Sequence, residues 1–316
     1  MRVAVTGGAG YIGSTLVKIL LEEDASVVSV DNLMRGDYRY LKGLETSREL
    51  ELIVGDIRDR KLLEEAFRGA EAVAHLAALP GLTLCSERPE EAVSINIYGT
   101  HQLLEAARRL DIDKVVFCSS AAVYGTPLKM PVDEGHPLRP LNLYGVTKLA
   151  GEKLMESYHD NYGIETVSLR FGNVFGVGLY TRWETVIPKF VRQGLEGKPL
   201  TIYGDGESSR DFVHVEDIAS AVTLALRKKG IGGEAFNVGG ETVEIGSLAE
   251  IVSEELEKVT GKEAGSIHLP PRPMETKRFS YRLDKIKTLR YKPKWSVRQG
   301  VKQLIDYRIR QMKTEV

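Results

Sequence analysis

Apolar residues in the first half of the chain fall into short, largely apolar blocks separated by amphipathic stretches. The blocks occupy residues 3–5, 26–30, 50–54, 72–78, 114–118 and 166–170. Between them, apolar side chains recur every three or four positions. Ile12, Leu16, Ile19 and Leu20 do so first, and residues 60–67, 90–110 and 143–162 repeat the pattern, with Val93, Ile97, Leu104 and Ala107 on one face of the third. Such blocks suit strands, and the alternation with helices predicts βαβ units around a parallel sheet.

The second half reads differently. Residues 127–140 carry Pro127, Pro131, Pro137 and Pro140 and must be loop, as are residues 80–89. From Asn173 onward the elements shorten. Residues 172–183 read as loop, 186–195, 216–226 and 247–260 as helix, and 200–203, 210–215 and 235–238 as short strands, with a turn at Gly204-Asp205-Gly206. A proline-rich stretch at 270–273 precedes a basic strand and helix. The expectation is two interleaved units: residues 1–172 with 211–240 returning to them, and a smaller α/β unit over 173–316.

Composition narrows the class. At 316 residues, 42% hydrophobic and 28% charged, the chain can bury a large core. Its 43 basic residues balance 44 acidic ones, which argues against an electrostatic nucleic-acid binder. No uninterrupted apolar run is long enough to span a bilayer. The first strand begins almost at residue 3, ahead of any leader-like pattern. Cys85 and Cys118, both in apolar company, staple little in so long a chain and suit a reducing cytoplasm. His75 has no partner at metal-ligand spacing, and no metal site is expected.

Chemistry concentrates at predicted strand ends. After the first strand, Gly7, Gly10 and Gly13 form a turn leading into a helix. That geometry offers backbone N–H groups and a positive helix end to a pyrophosphate. Gly7 serves the tight turn, Gly10 the approach of the phosphates, and Gly13 the packing of helix on strand. A bare glycine turn also occurs in unrelated α/β proteins. Here Asp31 closes the second strand about 18 residues beyond Gly13, where a carboxylate can bond ribose hydroxyls and repel a 2′-phosphate. NAD is therefore favoured over NADP, with Arg35 the one contrary charge nearby. Gly7, Asp31, Asp56, Ala77 and Ser120 all fall at carboxyl ends of predicted strands, where open parallel sheets bind ligands. The fold class is α/β, a Rossmann-like doubly wound parallel sheet with a smaller interleaved unit. Tyr144 and Lys148, four apart on a predicted helix, share one face. An ammonium beside a phenol stabilises the phenolate.

These segments together resemble the extended short-chain dehydrogenase/reductase family. They are residues 6–13 (TGGAGYIG), Asp31-Asn32-Leu33, Gly55-Asp56-Ile57, His75-Leu76-Ala77-Ala78, Ser119-Ser120-Ala121, residues 144–148 (YGVTK) and Arg170-Phe171-Gly172-Asn173. Within it, the NAD-dependent nucleotide-sugar epimerases and dehydratases are most similar, and among these the UDP-glucose 4-epimerases. The resemblance implies that Tyr144 is the base for a sugar hydroxyl. Lys148 would bind the nicotinamide ribose and lower the Tyr144 pKa, and Ser120 would hold the same sugar oxygen. It implies a cofactor site of Gly7, Gly10, Tyr11, Ile12, Gly13, Asp31, Asn32, Asp56, Ile57, Leu76, Ala77, Ala78, Ser119, Tyr144 and Lys148. Asn96 either buttresses that site or is a polar residue packed between helices.

On the substrate side the resemblance implies Ser120, Tyr144, Asn173, Ile187, Tyr203, Arg210, Arg272 and Glu275 around a nucleotide diphosphate, with the arginines as clamps. Phe279 falls where the family varies residue size, and its bulk is expected to disfavour N-acetyl sugars. Dehydratases of this branch carry Asp-Glu after the catalytic hydroxyl, where this chain has Ala121-Ala122. The family's 3,5-epimerases have a cysteine in this segment; Ala122 takes its place. A UDP-hexose 4-epimerase working as a homodimer through the helices at 90–110 and 143–162 is the reading that results. The rivals are a decarboxylase, reductase or dehydratase on the same scaffold, and a dinucleotide-sensing regulator without turnover.

Overall fold

The computed structural model describes residues 1–44, 49–271 and 277–314. The apolar blocks form β1 (Arg2–Thr6), β2 (Ser26–Asp31), β3 (Leu50–Val54), β4 (Ala72–His75), β5 (Lys114–Ser120) and β6 (Glu165–Phe171). Between them run α1 (Tyr11–Glu22), α2 (Arg60–Ala66), α3 (Leu82–Glu87), α4 (Pro89–Val93), α5 (Thr100–Arg109) and α6 (Leu143–Tyr162). The second half adds strands β7 (Asn173–Phe175), β8 (Leu200–Tyr203), β9 (Ser209–His214), β10 (Glu234–Val238), β11 (Glu241–Glu244) and β12 (Ser266–Leu269). Its helices are α7 (Val186–Leu195), α8 (Val215–Arg227), α9 (Ile245–Thr260), α10 (Asp284–Lys287) and α11 (Val297–Thr314).

The main sheet has seven parallel strands in the order β10-β6-β5-β4-β1-β2-β3. Alternation along β1 sorts its side chains between two cores. Val3 and Val5 join Leu16, Leu20 and Val222, while Ala4 joins Phe117, Leu104 and Met155 on the opposite face. Chain direction across the sheet reverses between β1 and β4. That reversal opens a crevice beyond their carboxyl ends. A third core, around Phe175, Phe190, Phe212, Leu248 and Val301, holds the smaller unit. Its strands pair as β11-β9-β7 and β12-β8. Residues 211–214 belong to that smaller sheet, so the return to the main sheet begins with α8 and ends with β10.

Several local expectations change. Residues 90–110 are not one helix: a π-helical segment, Ser94–Gly99, separates α4 from α5. Thr100 Oγ1 donates to the Asn96 carbonyl at 2.7 Å, and the side chain of Asn96 is drawn to Leu79 and Thr147. The first is a bond along the helix itself, and the second is a tertiary demand. The block at 72–78 leaves the sheet at His75, whose ring is wedged between Thr6 Oγ1 at 2.8 Å and Thr100 Oγ1 at 2.9 Å. Residues 82–87, expected as loop, form α3. Asn173–Phe175 is a strand because it pairs with β9. Among the described residues no helix is long and apolar enough to cross a membrane.

A side chain at Gly13 has nowhere to go: its Cβ would lie 2.0 Å from the Gly7 carbonyl oxygen and 2.8 Å from Gly8 Cα. A Cβ at Gly10 would meet only that same oxygen, at 3.3 Å. Gly13→Ala should therefore cost about 1–3 kcal/mol in urea denaturation, the range of core overpacking. Gly10→Ala should cost less than about 1 kcal/mol yet weaken dinucleotide binding measured by calorimetry.

Candidate active site

The crevice is floored by the β1–α1 turn. Gly7 takes φ +76°, a conformation that glycine adopts without strain, and its N–H donates to Val30 O at 2.8 Å. Gly10 precedes α1 in extended conformation, and no side chain caps that end. The first-turn N–H groups of Tyr11, Ile12 and Gly13 are thus left for a ligand. The tyrosine side chain itself is committed elsewhere: Tyr11 Oη donates to Gly176 O at 2.7 Å, tying the turn to the smaller unit. Residues 76–78 pass close over the turn, since a Cβ on Gly7 would lie 2.7 Å from Ala77 N. Leu76 N donates to Thr6 O, and Ala77 N to Thr6 Oγ1 at 3.4 Å.

Asp31 is fixed at the end of β2. Its carboxylate accepts from Ala9 N at 3.0 Å and Leu33 N at 2.8 Å; burial raises its pKa and these bonds pull the other way. Asn32 Nδ2 donates to Asp56 Oδ2 at 3.2 Å. Arg58 grips Asp56 with two nitrogens, at 2.8 and 2.7 Å, and holds that carboxyl at about 2. Ile57 is buried against Gly99. A shallow cleft of about 540 Å³ opens beside them, lined by Asp56, Arg58, Tyr98 and Gln102. Arg35 pairs with Glu184 of the smaller unit at 3.1 Å. Asn96 is fully engaged: its Oδ1 accepts from Leu79 N at 2.7 Å, and its Nδ2 donates to Leu79 O at 3.1 Å and Thr147 Oγ1 at 3.0 Å. It fixes the loop after β4 to α6.

At the next strand end, Tyr144 and Lys148 stand on successive turns of α6. Asn142 caps this helix through Gly145 N at 2.9 Å. The helix lies so close to β5 that a Cβ on Gly151 would strike the Phe117 ring at 2.5 Å. Lys148 Nζ donates to Cys118 O at 2.7 Å and sits 4.8 Å above the Phe117 ring and 6.0 Å from that of Tyr144. Tyr144 is half-buried as a residue, but its phenol is desolvated. Burial pushes that phenol up to about 12, against the pull of a Ser120 hydrogen bond and the Arg182 guanidinium. Burial also pushes Lys148 down to about 8. The resemblance implies that lysine depresses the phenol; here desolvation dominates the phenol, and the lysine's hydrogen bond goes to the Cys118 carbonyl.

Ser119 Oγ donates to Glu152 Oε1 at 2.5 Å, and Ser120 Oγ accepts from Ala122 N at 3.2 Å. Cys118 is pushed up to about 12 by burial and is no nucleophile. His75 is pushed down to about 3 and stays neutral.

The substrate-side residues are spread over the smaller unit. Asn173 is exposed at the start of β7, in register with Phe212 of β9. Arg210, on β9, donates through Nη1 to Ser209 O at 2.8 Å. Tyr203 ends β8, with Lys189 Nζ 5.6 Å from its ring centre. The Ile187 side chain lies in the third core. Phe279 packs in an aromatic cluster with Tyr124 and Tyr281, at centroid distances of 6.3 and 4.9 Å. Arg272 and Glu275 fall outside the described residues. Sequence reasoning passed over Arg182, read as loop, and Glu152, which continues the four-residue spacing of Tyr144 and Lys148.

The fold and this cluster define a dinucleotide-dependent α/β enzyme. Over residues 3–239 the chain matches the model of the NAD dependent epimerase/dehydratase family, and it belongs to that family. The UDP-N-acetylglucosamine 4-epimerase of Methanobrevibacter ruminantium, solved with UDP-N-acetylmuramic acid, superposes with a TM-score of 0.91 at 33% identity, covering 98% of this chain and 99% of that one. The UDP-glucuronic acid 4-epimerase of Bacillus cereus, solved with UDP-glucuronic acid and NAD, gives 0.89 at 35%, covering 99% and 100%. The human dTDP-D-glucose 4,6-dehydratase is 33% identical over 318 residues, 97% of this chain and 89% of that protein.

Burial of Lys148 has a measurable signature. Its folded pKa of about 8 lies below its unfolded value of 10.5. Between these values the unfolded chain binds more protons, so stability contributed by Lys148 rises with pH across this window. The stability of the parent minus that of Lys148→Met should increase by up to about 3 kcal/mol between pH 7 and 11. Urea denaturation across that range tests it; a flat difference would show that Lys148 is not desolvated.

Proposed function

We propose that the protein is an NAD-dependent nucleotide-sugar 4-epimerase acting on a UDP-hexose of the glucose/galactose type. The observation that carries this reading is the pair Ala121-Ala122 directly after Ser120. Elimination of water from a keto-sugar needs one group to take a carbon-bound proton and another to protonate the departing hydroxyl. These two positions carry only methyl groups. Transient oxidation at C4 followed by return of the same hydride needs neither.

The residues present fit NAD. The uncapped end of α1 suits the pyrophosphate, Asp31 the adenosine ribose, Asp56 and Ile57 the adenine, and Lys148 the nicotinamide ribose. When bound, NAD⁺ supplies a reversible hydride acceptor, so that C4 can pass through a ketone and be reduced again from its other face. Tyr144 takes the C4 hydroxyl proton and gives it back. Ser120 holds the same oxygen and relays that proton. Lys148, kept as an ammonium, offsets the desolvation that opposes a Tyr144 phenolate. Asn173, Arg210, Arg272 and Glu275 would hold the nucleotide diphosphate and its ribose, with Tyr203 beside the base. Phe279, through its aromatic cluster, would narrow the sugar site.

Exposed Val93, Tyr98 and Val146 on the α4–α6 side support a homodimer through these helices. Buried thiols at Cys85 and Cys118 suit a reducing cytoplasm. Kinship to a dehydratase keeps one rival in view, and the same assay separates the two.

Incubation with a panel of nucleotide sugars, followed by chromatographic separation of epimers, should give UDP-glucose and UDP-galactose interconversion without net NADH. A stable 4-keto product would instead identify a dehydratase. Tyr144→Phe should lower kcat by about 10³-fold or more, with KM changed little. UDP-N-acetylglucosamine should turn over at least about tenfold more slowly than UDP-glucose, in line with pocket-size discrimination; comparable rates would remove Phe279 from the specificity account.

A further inference from the structure

Glu152 stands one turn beyond Lys148 and two beyond Tyr144, so all three project from one face of α6. Each meets a different residue at the end of β5. Tyr144 hydrogen-bonds with Ser120, Lys148 Nζ donates to Cys118 O at 2.7 Å, and Glu152 Oε1 accepts from Ser119 Oγ at 2.5 Å. Three successive strand residues are thus read by three successive helix turns.

Glu152 carries a second clamp. Arg170, on β6, donates through Nη2 to Glu152 Oε2 at 2.7 Å and through Nε to Oε1 at 3.0 Å. Both side chains are only 6% exposed. Arg170 Nη1 continues to Tyr124 Oη at 2.8 Å, and Tyr124 donates to Asn237 Oδ1 on β10 at 2.6 Å. The bonds therefore cross three strands beneath α6 and reach the turn that follows Ser120. A buried ion pair is a poor way to gain stability, because apolar replacements of both partners are often neutral or stabilising.

We infer that Glu152 is a positioning residue for the proposed reaction: clamped by Ser119 and Arg170, it sets the seating of α6 on β5 at which Tyr144 meets Ser120, and it places a carboxylate one helical turn from Lys148 on the same face. Other groups facing Lys148 are the Cys118 thiol of β5, the Cys85 thiol of α3, the Tyr144 phenol and the imidazole of His75 on β4. Burial holds all four neutral. Arg170, beyond Glu152, is the cation that its loss would leave exposed to the site.

The inference rests on the function proposed above, but its first readout needs no substrate. In purified Glu152→Gln, the acid dissociation constant of Lys148, followed by NMR of ¹⁵N-lysine and assigned with Lys148→Met, should rise at least about tenfold. The alkaline limb of the kcat profile should move to lower pH by the same factor, with KM within about twofold. Glu152→Asp, which keeps the charge on a shorter arm, should retain the parental Lys148 titration while losing kcat. A parental titration and pH profile in Glu152→Gln, with only thermal stability reduced, would overturn the inference. Should that variant not fold, the doubly apolar Glu152→Met/Arg170→Met removes the pair together. It should fold, raise the constant at least about threefold and lower kcat; parental behaviour in the folded double variant would again overturn the inference. If the parent shows no epimerisation of any sugar, the proposed function fails while the Lys148 titration still tests the clamp.

Discussion

In the proposed reaction Tyr144 and Lys148 would act as phenolate beside ammonium, and burial opposes both ionisations. Desolvation takes the phenol up to about 12 and the amine down to about 8, so the resting pair is pushed toward neutrality from both sides. Everything else about the site can be understood as compensation for that cost. Tyr144 lies in the first turn of α6, where unpaired N–H groups favour a negative charge. Ser120 bonds its oxygen, and the Arg182 guanidinium of the smaller unit favours its charged form. Lys148 has the Cys118 carbonyl and the Glu152 carboxylate. In the proposed reaction a bound NAD⁺ would add a positive charge to this balance as well as supply the hydride acceptor.

Topology places these groups. In a parallel sheet every strand delivers its carboxyl end to the same edge, so distant stretches converge without any local signal in the intervening helices. Reversal of strand order between β1 and β4 leaves the glycine turn and residues 76–78 on the two walls of one crevice. Ser120 enters from the neighbouring strand. The smaller unit is not hung loosely on this frame. Tyr11 Oη bonds Gly176 O, Arg35 pairs with Glu184, and α8 and β10 come back into the main unit after β9. Substrate-side loops are thereby tied to the cofactor side at three places.

What the sequence disclosed follows the range of the interaction involved. The Gly7–Gly13 turn, Asp31 at a strand end and the Tyr144/Lys148 spacing are written within a few residues of themselves, so period and turn chemistry reveal them. The break at Ser94–Gly99 is not, because it depends on Asn96 reaching Leu79 and Thr147. Strands β7 and β11 exist by pairing with β9 and carry little pattern of their own. Arg170 on Glu152, 18 residues apart and on different elements, is likewise a product of packing. Glu152 did leave a trace, the four-residue interval repeated once more after Lys148, but an interval acquires meaning only when Ser119 and Arg170 are seen to close on it.

Fold does not decide between the activities found among the relatives, since epimerases and a dehydratase align over nearly the whole chain at similar identity. In the reaction proposed here, the first step withdraws a proton and a hydride at C4, which would engage Tyr144, Lys148, Ser120 and the dinucleotide. Divergence must then come from what stands next to the ketone once it has formed. With carboxyl groups after Ser120, water can leave; with the methyl groups of Ala121 and Ala122, no proton acceptor or donor is supplied from that segment, and the outcome left open is return of the hydride. Two side chains on a short turn thus carry more of the proposed assignment than the remainder of the fold.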